Sequence, residues 1–551
     1  MIVPFLLLAA EFQAGAAKVS VAPEKLPVIV NCFFNERTIS KLNSPLEAKA
    51  LVLASGKEKV AIVLVDSCMM PRELLDNAKY EASQRTQIPE DRILISATHT
   101  HFAPAAMSCL GSRVQPGYPE FLATKIAEAI ALAAGKMQAA QLGAAAVDDF
   151  EHTFNRRFIY KLDQKLTNPF GEKNVIANMH PGYENPNAVS PSGPVDPALS
   201  VLSVRNKAGK PLAILANYSM HYFASEPLSA DYFGLFAQKM QKKLGAGDDL
   251  VVMMTQGTSG DLMWMDYSKP KQDITLEDYT EGVASSALRA YEKIVYQASG
   301  KLAMDEAKMT LQRRLPNPER LAWAQATLAA LNGAEPKTQT QIYAREQLYI
   351  RDEPRRELKL QVLRIGDLGI TAMPNEVFAL TGLKLKARSP LPLMMNISLA
   401  NGADGYIPPR EQHDLGGYTT WAARTAGLDT GAERTIVHTL LEQLEVMTGK
   451  QRRKDKPGNR KNYWTLDEME DSSAPIEGPR AYYLEGKVGK AAYFAGGKLI
   501  WPKNDKASEF RFWYWPAATR KWEQVVTRCE ARAKCPEAVL EGKVDELYLL
   551  R

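Results

Sequence analysis

The sequence predicts an α/β protein: a layered mixed-sheet domain with flanking helices, plus a small C-terminal all-β module. Three observations predict it. Strand-like and helix-like runs alternate from about residue 48 to residue 450. Several of the apolar strand-like runs end in polar clusters. Beyond about residue 476 the alternation gives way to short β-type runs in a polar background.

In chain order, Ala48–Leu53 and Val60–Val65 read as strands joined by a turn at Gly56. Arg72 to Arg85 has helical periodicity. Ile93-Leu-Ile95 is an apolar strand leading into Ser96-Ala-Thr-His99-Thr-His101, and Pro104 stops it. Pro119 to Met137 reads as a helix and 163–197 as loop. Leu199–Val204 and Leu212–Tyr218 form a hairpin, followed by a helix over Phe233–Leu244, a buried strand over Leu250–Thr255 and a helix over Leu276–Ala298. Pro318–Leu331 and Thr340–Ile350 look like a helical pair. Leu358–Ile365 and Leu368–Met373 are a second hairpin, leading through Glu376 into a helix that ends near Ala387. Leu391–Ile397 is one more apolar run, and Thr430–Met447 an amphipathic helix. Residues 451–475 form a basic linker. The module over 476–551 contains short strands at Ala481–Tyr483, Ala491–Phe494, Lys498–Trp501, Phe510–Trp515 and Leu547–Leu550.

The 551 residues, 45% apolar and 24% charged, describe an ordinary globular protein. A net charge of +5, with no basic helix interleaved with aromatics, gives no reason to expect a nucleic-acid partner. The first ten residues are apolar but too short to span a bilayer, which takes about 20 residues. Ala14-Gly15-Ala16 then offers a small-residue cleavage site, so residues 1–17 read as a signal peptide and 18–450 as the main domain. No Lys or Arg precedes the apolar run, and the alternative is a buried N-terminal strand. Export implies a secreted or periplasmic protein. Of the five cysteines, Cys68 reads as a small core residue, and Cys529 and Cys535 are close enough to pair in an oxidising compartment.

His99 and His101 lie at i and i+2, so they share a face if strand geometry persists. His221, Asp261, Glu376 and Asp404 also follow apolar runs. Ligand sites gather outside the carboxyl ends of strands in open α/β sheets, so these residues form one candidate site. Imidazole and carboxylate donors suit zinc, although no H-E-x-x-H motif is present. Ser259 is not set in a G-x-S-x-G elbow and is not read as a nucleophile. His152, His180, His413 and His438 read as structural or exposed. The Phe512–Trp515 cluster reads as the core of the small module rather than a lipid or sugar platform.

Ser96-Ala-Thr-His-Thr-His101 with Ala103-Pro104 resembles the S-A-T-H-T-H-x-G-P signature of the neutral ceramidase superfamily. Asn155-Arg156 resembles its N-R element, Asn217–His221 with Ser229-Ala-Asp231 its second histidine segment, and Gln256–Asp261 its Q-x-x-x-G-D loop. Met373-Pro-Asn-Glu376 resembles its P-G-E turn, and Leu399–Gly402 with Gly405-Tyr406 and Gly417-Tyr418 its glycine-tyrosine block. The pieces run in order over residues 25–450.

The resemblance implies Zn2+ held by His99, His221, Glu376 and Tyr418. It implies His101 as a proton-transfer group or a support for the ligands, and Arg156 polarising a scissile carbonyl. Asp261 would orient His101 or accept a proton. The activity it implies is hydrolysis of an amide in an N-acyl sphingosine or related small-molecule or lipid substrate, with room for peripheral membrane contact. There are departures from the pattern. Met263 and Trp264 replace the serine and proline of G-D-x-S-P, Asn375 replaces the glycine of P-G-E, and the C-terminal module does not match the family's immunoglobulin-like domain. These changes keep two alternatives open. One is a zinc hydrolase acting on another amide, an ester or a glycan-linked substrate. The other is a non-enzymatic cell-surface binding protein.

Overall fold

The computed structural model describes residues 10–453, apart from 32, 162 and 163, and five strand segments between 479 and 529. Eight strands build the main sheet: β1 (Phe12–Ser20), β2 (Glu47–Ser55), β3 (Glu58–Val65), β4 (Ile93–Ala97), β5 (Gln138–Asp148), β6 (Ala198–Asn206), β7 (Pro211–Tyr218) and β8 (Val251–Gln256). Their order is β8-β7-β6-β5-β1-β2-β3-β4. The end pairs β3–β4 and β7–β8 run parallel. Each needs a crossover, and helices α1 (Arg72–Thr86) and α3 (Asp231–Lys243) supply them.

The apolar run of β3 is continuous because both of its faces are covered. Val60, Ile62 and Leu64 point to an inner core, while Ala61, Val63 and Val65 point to α1 and α2 (Tyr118–Gly135). At the other end of the sheet, α3 and α4 (Leu276–Tyr291) cover β6–β8. The inner core is closed by a second sheet of order β9-β10-β11-β13, where β9 is Leu302–Gln312, β10 Arg355–Ile365, β11 Leu368–Ala372 and β13 Leu393–Ile397. A two-stranded ladder, β12 (Glu376–Val377) with β14 (Tyr406–Ile407), extends from it. Helices α5 (Ala379–Arg388) and α6 (Ala432–Thr448) cover its far face. The layers are therefore helix, sheet, sheet, helix.

Six strand-to-strand steps separate β7 from β4. Laid flat they would span about 29 Å, at about 4.8 Å per step. The sheet curls instead, and the segment after β13 joins its edges. Ser398 N donates to Gln256 O of β8 at 3.0 Å, and Asn401 N donates to Ile95 O of β4 at 2.8 Å. The strand ends at both edges thus open onto one space.

The N-terminal boundary read from sequence requires correction. Residues 12–20 are β1, paired with β2 from Phe12↔Ser55 to Ser20↔Glu47. Gly15, the middle of the apparent cleavage site, lies where the end of α2 crosses the strand. A Cβ there would sit 2.2 Å from Ala133 O. Cleavage at 14–17 would cut a central strand, so the buried-strand alternative describes this stretch, and residues 1–9 lie outside the described ones. Cys68 is also corrected: it is disulfide-bonded. Helix α4 stops at Tyr291 instead of reaching Ala298. The loop expected over 163–197 contains Ala177–Met179 and Ala188–Pro191, which flank Arg157–Tyr160 in a small sheet.

Among the described C-terminal segments, Pro479–Gly486, Phe510–Pro516 and Glu523–Cys529 form one sheet, and Tyr493–Ala495 pairs with Lys498–Ile500. Most of the linker, Cys535 with its proposed pairing, and the strand expected at Leu547–Leu550 lie outside the described residues. Among the described residues no helix is long and apolar enough to cross a membrane.

Candidate metal centre

His99 and His221 meet where the curled edges converge. Strand β4 stops at Ala97, and His99 itself takes φ 71°, a left-handed conformation that costs a non-glycine residue about 1–3 kcal/mol. A sharp turn therefore aims the imidazoles of His99 and His101, in place of the strand alternation expected. His99 N donates to Ser67 O at 2.9 Å, which helps hold that turn.

The tautomers follow from the partners. His99 Nδ1 lies 2.9 Å from Cys68 O, and His221 Nδ1 lies 3.2 Å from Ser259 O. A carbonyl only accepts, so each Nδ1 carries the proton and each Nε2 keeps a lone pair. Those two Nε2 atoms face each other at 3.0 Å. Glu376 Oε2 lies 3.5 Å from the first and 3.8 Å from the second, and it is buried with no hydrogen-bond partner. Three acceptors facing one another without a proton between them is an arrangement that a cation resolves. A tetrahedral zinc with bonds near 2.0–2.1 Å holds its donors about 3.3–3.4 Å apart, and the observed separations bracket that. The residues present fit the ion. Burial holds the His99 imidazole down at about 4 and those of His101 and His221 well below the usual histidine range, so all three are neutral at pH 7. Burial pushes the Glu376 carboxyl up to about 7, against the pull of the Tyr406 hydroxyl and Arg156.

Cys68 also lies beside His99, its Sγ 3.6 Å from Nδ1, but a disulfide sulfur is not a thiolate donor. His101 Nε2 points at His99 Nε2 from 3.3 Å, and its Nδ1 has no partner. Its ring stacks on Tyr222, with centroids 3.8 Å apart and planes 20° apart.

Arg156 is buried, and its Nη2 lies 3.0 Å from Gly260 O, 3.1 Å from Tyr406 OH and 3.3 Å from His221 Nε2. Its guanidinium thus lies at the edge of the donor set.

Sequence reasoning did not single out Tyr406. Ladder β12–β14 places Glu376 directly opposite Tyr406, whose hydroxyl bonds both Glu376 and Arg156. Tyr418 packs edge-on against Tyr406 with centroids 5.8 Å apart. No hydrogen bond joins its hydroxyl to His99, His221, Glu376 or Arg156 among the described contacts. Tyr406 is thus the phenol that is hydrogen-bonded to Glu376 and Arg156. Asn375, in place of the glycine of P-G-E, is fully buried, and its Nδ2 donates to Gly405 O at 3.2 Å, so it helps pin this ladder.

Asp261 does not touch His101. Its Oδ1 accepts from Ala379 N at 2.8 Å, capping α5, and its Oδ2 accepts from Asn155 Nδ2 at 2.8 Å. Its backbone carbonyl accepts from Arg156 N. It joins the Asn155-Arg156 segment to α5, and His101 is not among its hydrogen-bond partners. Met263 is buried in a short ladder opposite Phe154. The Trp264 ring stacks on Phe223 at 4.5 Å and donates to its carbonyl at 3.0 Å. Both replaced positions serve packing. Asp404 pairs with Arg356 at 2.7 Å. His180, expected to be structural or exposed, shares a 2.5 Å hydrogen bond with Tyr267, and its backbone N–H donates to Arg156 O.

The chain resembles several solved structures, two of them ceramidases. It matches the neutral ceramidase from Pseudomonas aeruginosa with TM-score 0.58 and 14% identity, covering 95% of this chain and 99% of that one. It matches a ceramidase complexed with C2 with TM-score 0.59 and 13% identity over the same shares. No family model matches the sequence, and no curated protein matches it. At this identity the likeness establishes a neutral ceramidase-like fold.

Proposed function

From the premise of a neutral ceramidase-like fold, we propose that this protein is a zinc-dependent amidohydrolase that cleaves an N-acyl sphingosine or a related N-acyl substrate. The reading rests on one observation: two imidazole lone pairs and an unpartnered carboxylate oxygen face one another beside a buried arginine. His99, His221 and Glu376 hold the metal, and Tyr406 is the phenolic donor beside them. When bound, zinc supplies Lewis acidity, polarising a carbonyl and activating water near neutral pH.

The chain's own groups do the rest. Arg156 Nη2, fixed by Gly260 O and Tyr406, offers positive charge to the developing oxyanion. Arginine suits this because it stays charged when buried. His101, neutral and held by the Tyr222 stack, takes a proton and delivers it to the leaving amine. Tyr418 packs edge-on against Tyr406. The apolar N-acyl chain makes a lipid or amphiphilic small molecule the natural substrate.

The test is metal content by elemental analysis on wild type and His221→Ala, followed by assay of a fluorescent N-acyl sphingosine. About one zinc per chain, lost in the variant together with amide cleavage, is the expected result. Zinc without cleavage redirects the substrate to other amides or esters. A wild-type protein that binds no zinc overturns the proposal.

A further inference from the structure

A cavity of 650 Å³ lies on the other side of the Tyr418 loop from the metal centre. Gly416, Thr420 and Trp421 line it, while Tyr418 on the same loop packs against Tyr406. Two guanidiniums face into it. Arg314 donates from Nε to Leu428 O at 3.0 Å and from Nη2 to Ala426 O, both neutral backbone acceptors. Among the described residues no carboxylate lies within 4.0 Å of it. Arg320 stacks over Phe170 at 4.0 Å, and its nearest carboxylate, Glu172, is 3.8 Å away. Glu172 is itself engaged by Asn168 Nδ2 at 2.8 Å and Asn174 Nδ2 at 3.0 Å.

The two guanidiniums are close enough to repel. After burial, the Arg320 charge is the next largest influence holding Arg314 down, to about 10, and the Asp429 carboxylate offsets it only in part. Lys165 adds a third cation to the lining, against the carboxylates of Glu172 and Asp414. A half-enclosed cation normally faces a carboxylate, since an uncompensated one is costly. Here two like charges share a cavity of ligand size, and among the described residues Arg314 hydrogen-bonds only to backbone carbonyls while Arg320 has only the longer contact to Glu172. The guanidinium fork matches the two oxygens of a carboxylate or phosphate.

We propose that this cavity is a binding site for a small oxyanion, a carboxylate or a phosphate, held between Arg314 and Arg320. The site is distinct from the metal centre and separated from it by the Tyr418 loop.

The experiment titrates the full-length protein by calorimetry with inorganic phosphate and, separately, with acetate, against sodium chloride at matched ionic strength. Saturable binding is expected in wild type and equally in His221→Ala, which lacks a metal-site imidazole. In Arg320→Gln it should weaken roughly tenfold or more, the value of one charge-assisted contact. Arg314→Gln should weaken it similarly, and Arg320, on the outer helix Pro318–Ala329, keeps the test usable if the Arg314 variant folds poorly. Whichever probe binds tighter assigns tetrahedral or planar geometry. No saturable binding beyond the chloride control, undiminished binding in Arg320→Gln, or binding lost in His221→Ala would each overturn the proposal.

Discussion

His99 and His221 stand just beyond the ends of β4 and β7, near opposite edges of the large curled sheet. Glu376 and Tyr406 stand opposite each other in a two-residue ladder attached to the small sheet. The imidazole pair is placed by the global curvature of eight strands. The carboxylate and phenol are placed by one local pairing. Gly260 lies between these halves: its N–H donates to Val377 O at 2.7 Å, and its carbonyl accepts from Arg156. The imidazole half should therefore respond to changes anywhere in the sheet, and the carboxylate half chiefly to changes in its own ladder.

The largest effect that tests this division is loss of a donor. Glu376→Gln should leave the fold intact, remove zinc from the purified protein and lower kcat/KM by roughly 10³-fold or more. A variant that retains stoichiometric zinc would show that the imidazole half binds the ion alone. Next comes the choice between tyrosines. Tyr406→Phe should lower kcat about 10²–10³-fold, the usual cost of one positioned donor at a reacting centre. Tyr418→Phe should cost less than about tenfold. The reverse ranking would restore Tyr418 as the metal's phenol.

The contact between the halves is the third target. A Cβ on Gly260 would lie 2.9 Å from Glu376 O and 3.1 Å from Val377. Gly260→Ala should lower stability by about 1–3 kcal/mol in denaturant unfolding and reduce kcat by displacing Arg156. A stability loss with unchanged kcat would show that Arg156 is not held from this side.

The smallest effect is in pH dependence. Burial raises the Asp261 carboxyl to about 6 from an ordinary 3.8. Between those values the folded state holds a proton that the unfolded state has released. Asp261 therefore makes stability fall as pH rises from about 4 to 6, by at most about 1.4 kcal/mol per pH unit. Asp261→Asn should flatten that slope, measured as unfolding free energy across the window. An unaltered slope would place the ionisation elsewhere.

These residues also show what a sequence displays and what it hides. His99 and His101 are legible because a β-type run ends abruptly in two histidines. His221 and Glu376 are legible because each ends a similar run. Tyr406 was hidden among glycine-tyrosine pairs that look alike. Only the parallel register of Glu376 with Tyr406, 30 residues apart, separates it from Tyr418. Strand β5, Gln138–Asp148, is too rich in Ala and Gly to declare itself as β. In β1, the small residues that let α2 approach imitate a leader's cleavage site. Asp261 follows an apolar strand as the catalytic candidates do, but its backbone N–H and amide partners come from elements distant in sequence.

Strand β1 joins β2 along its whole length, yet it meets β5 only through Gln13↔Ala139 and Ala14↔Gln138. The large sheet is in effect two blades sharing a short joint. One blade, β5 to β8, carries His221. The other, β1 to β4, carries His99. A metal held by both imidazoles is then a clasp across that joint, so closing the blades and filling the site are linked equilibria. Whatever tightens Gln13 and Ala14 against β5 tightens the grip on the ion, and chelation should return as faster amide exchange at that joint, on the far side of four strands from His99.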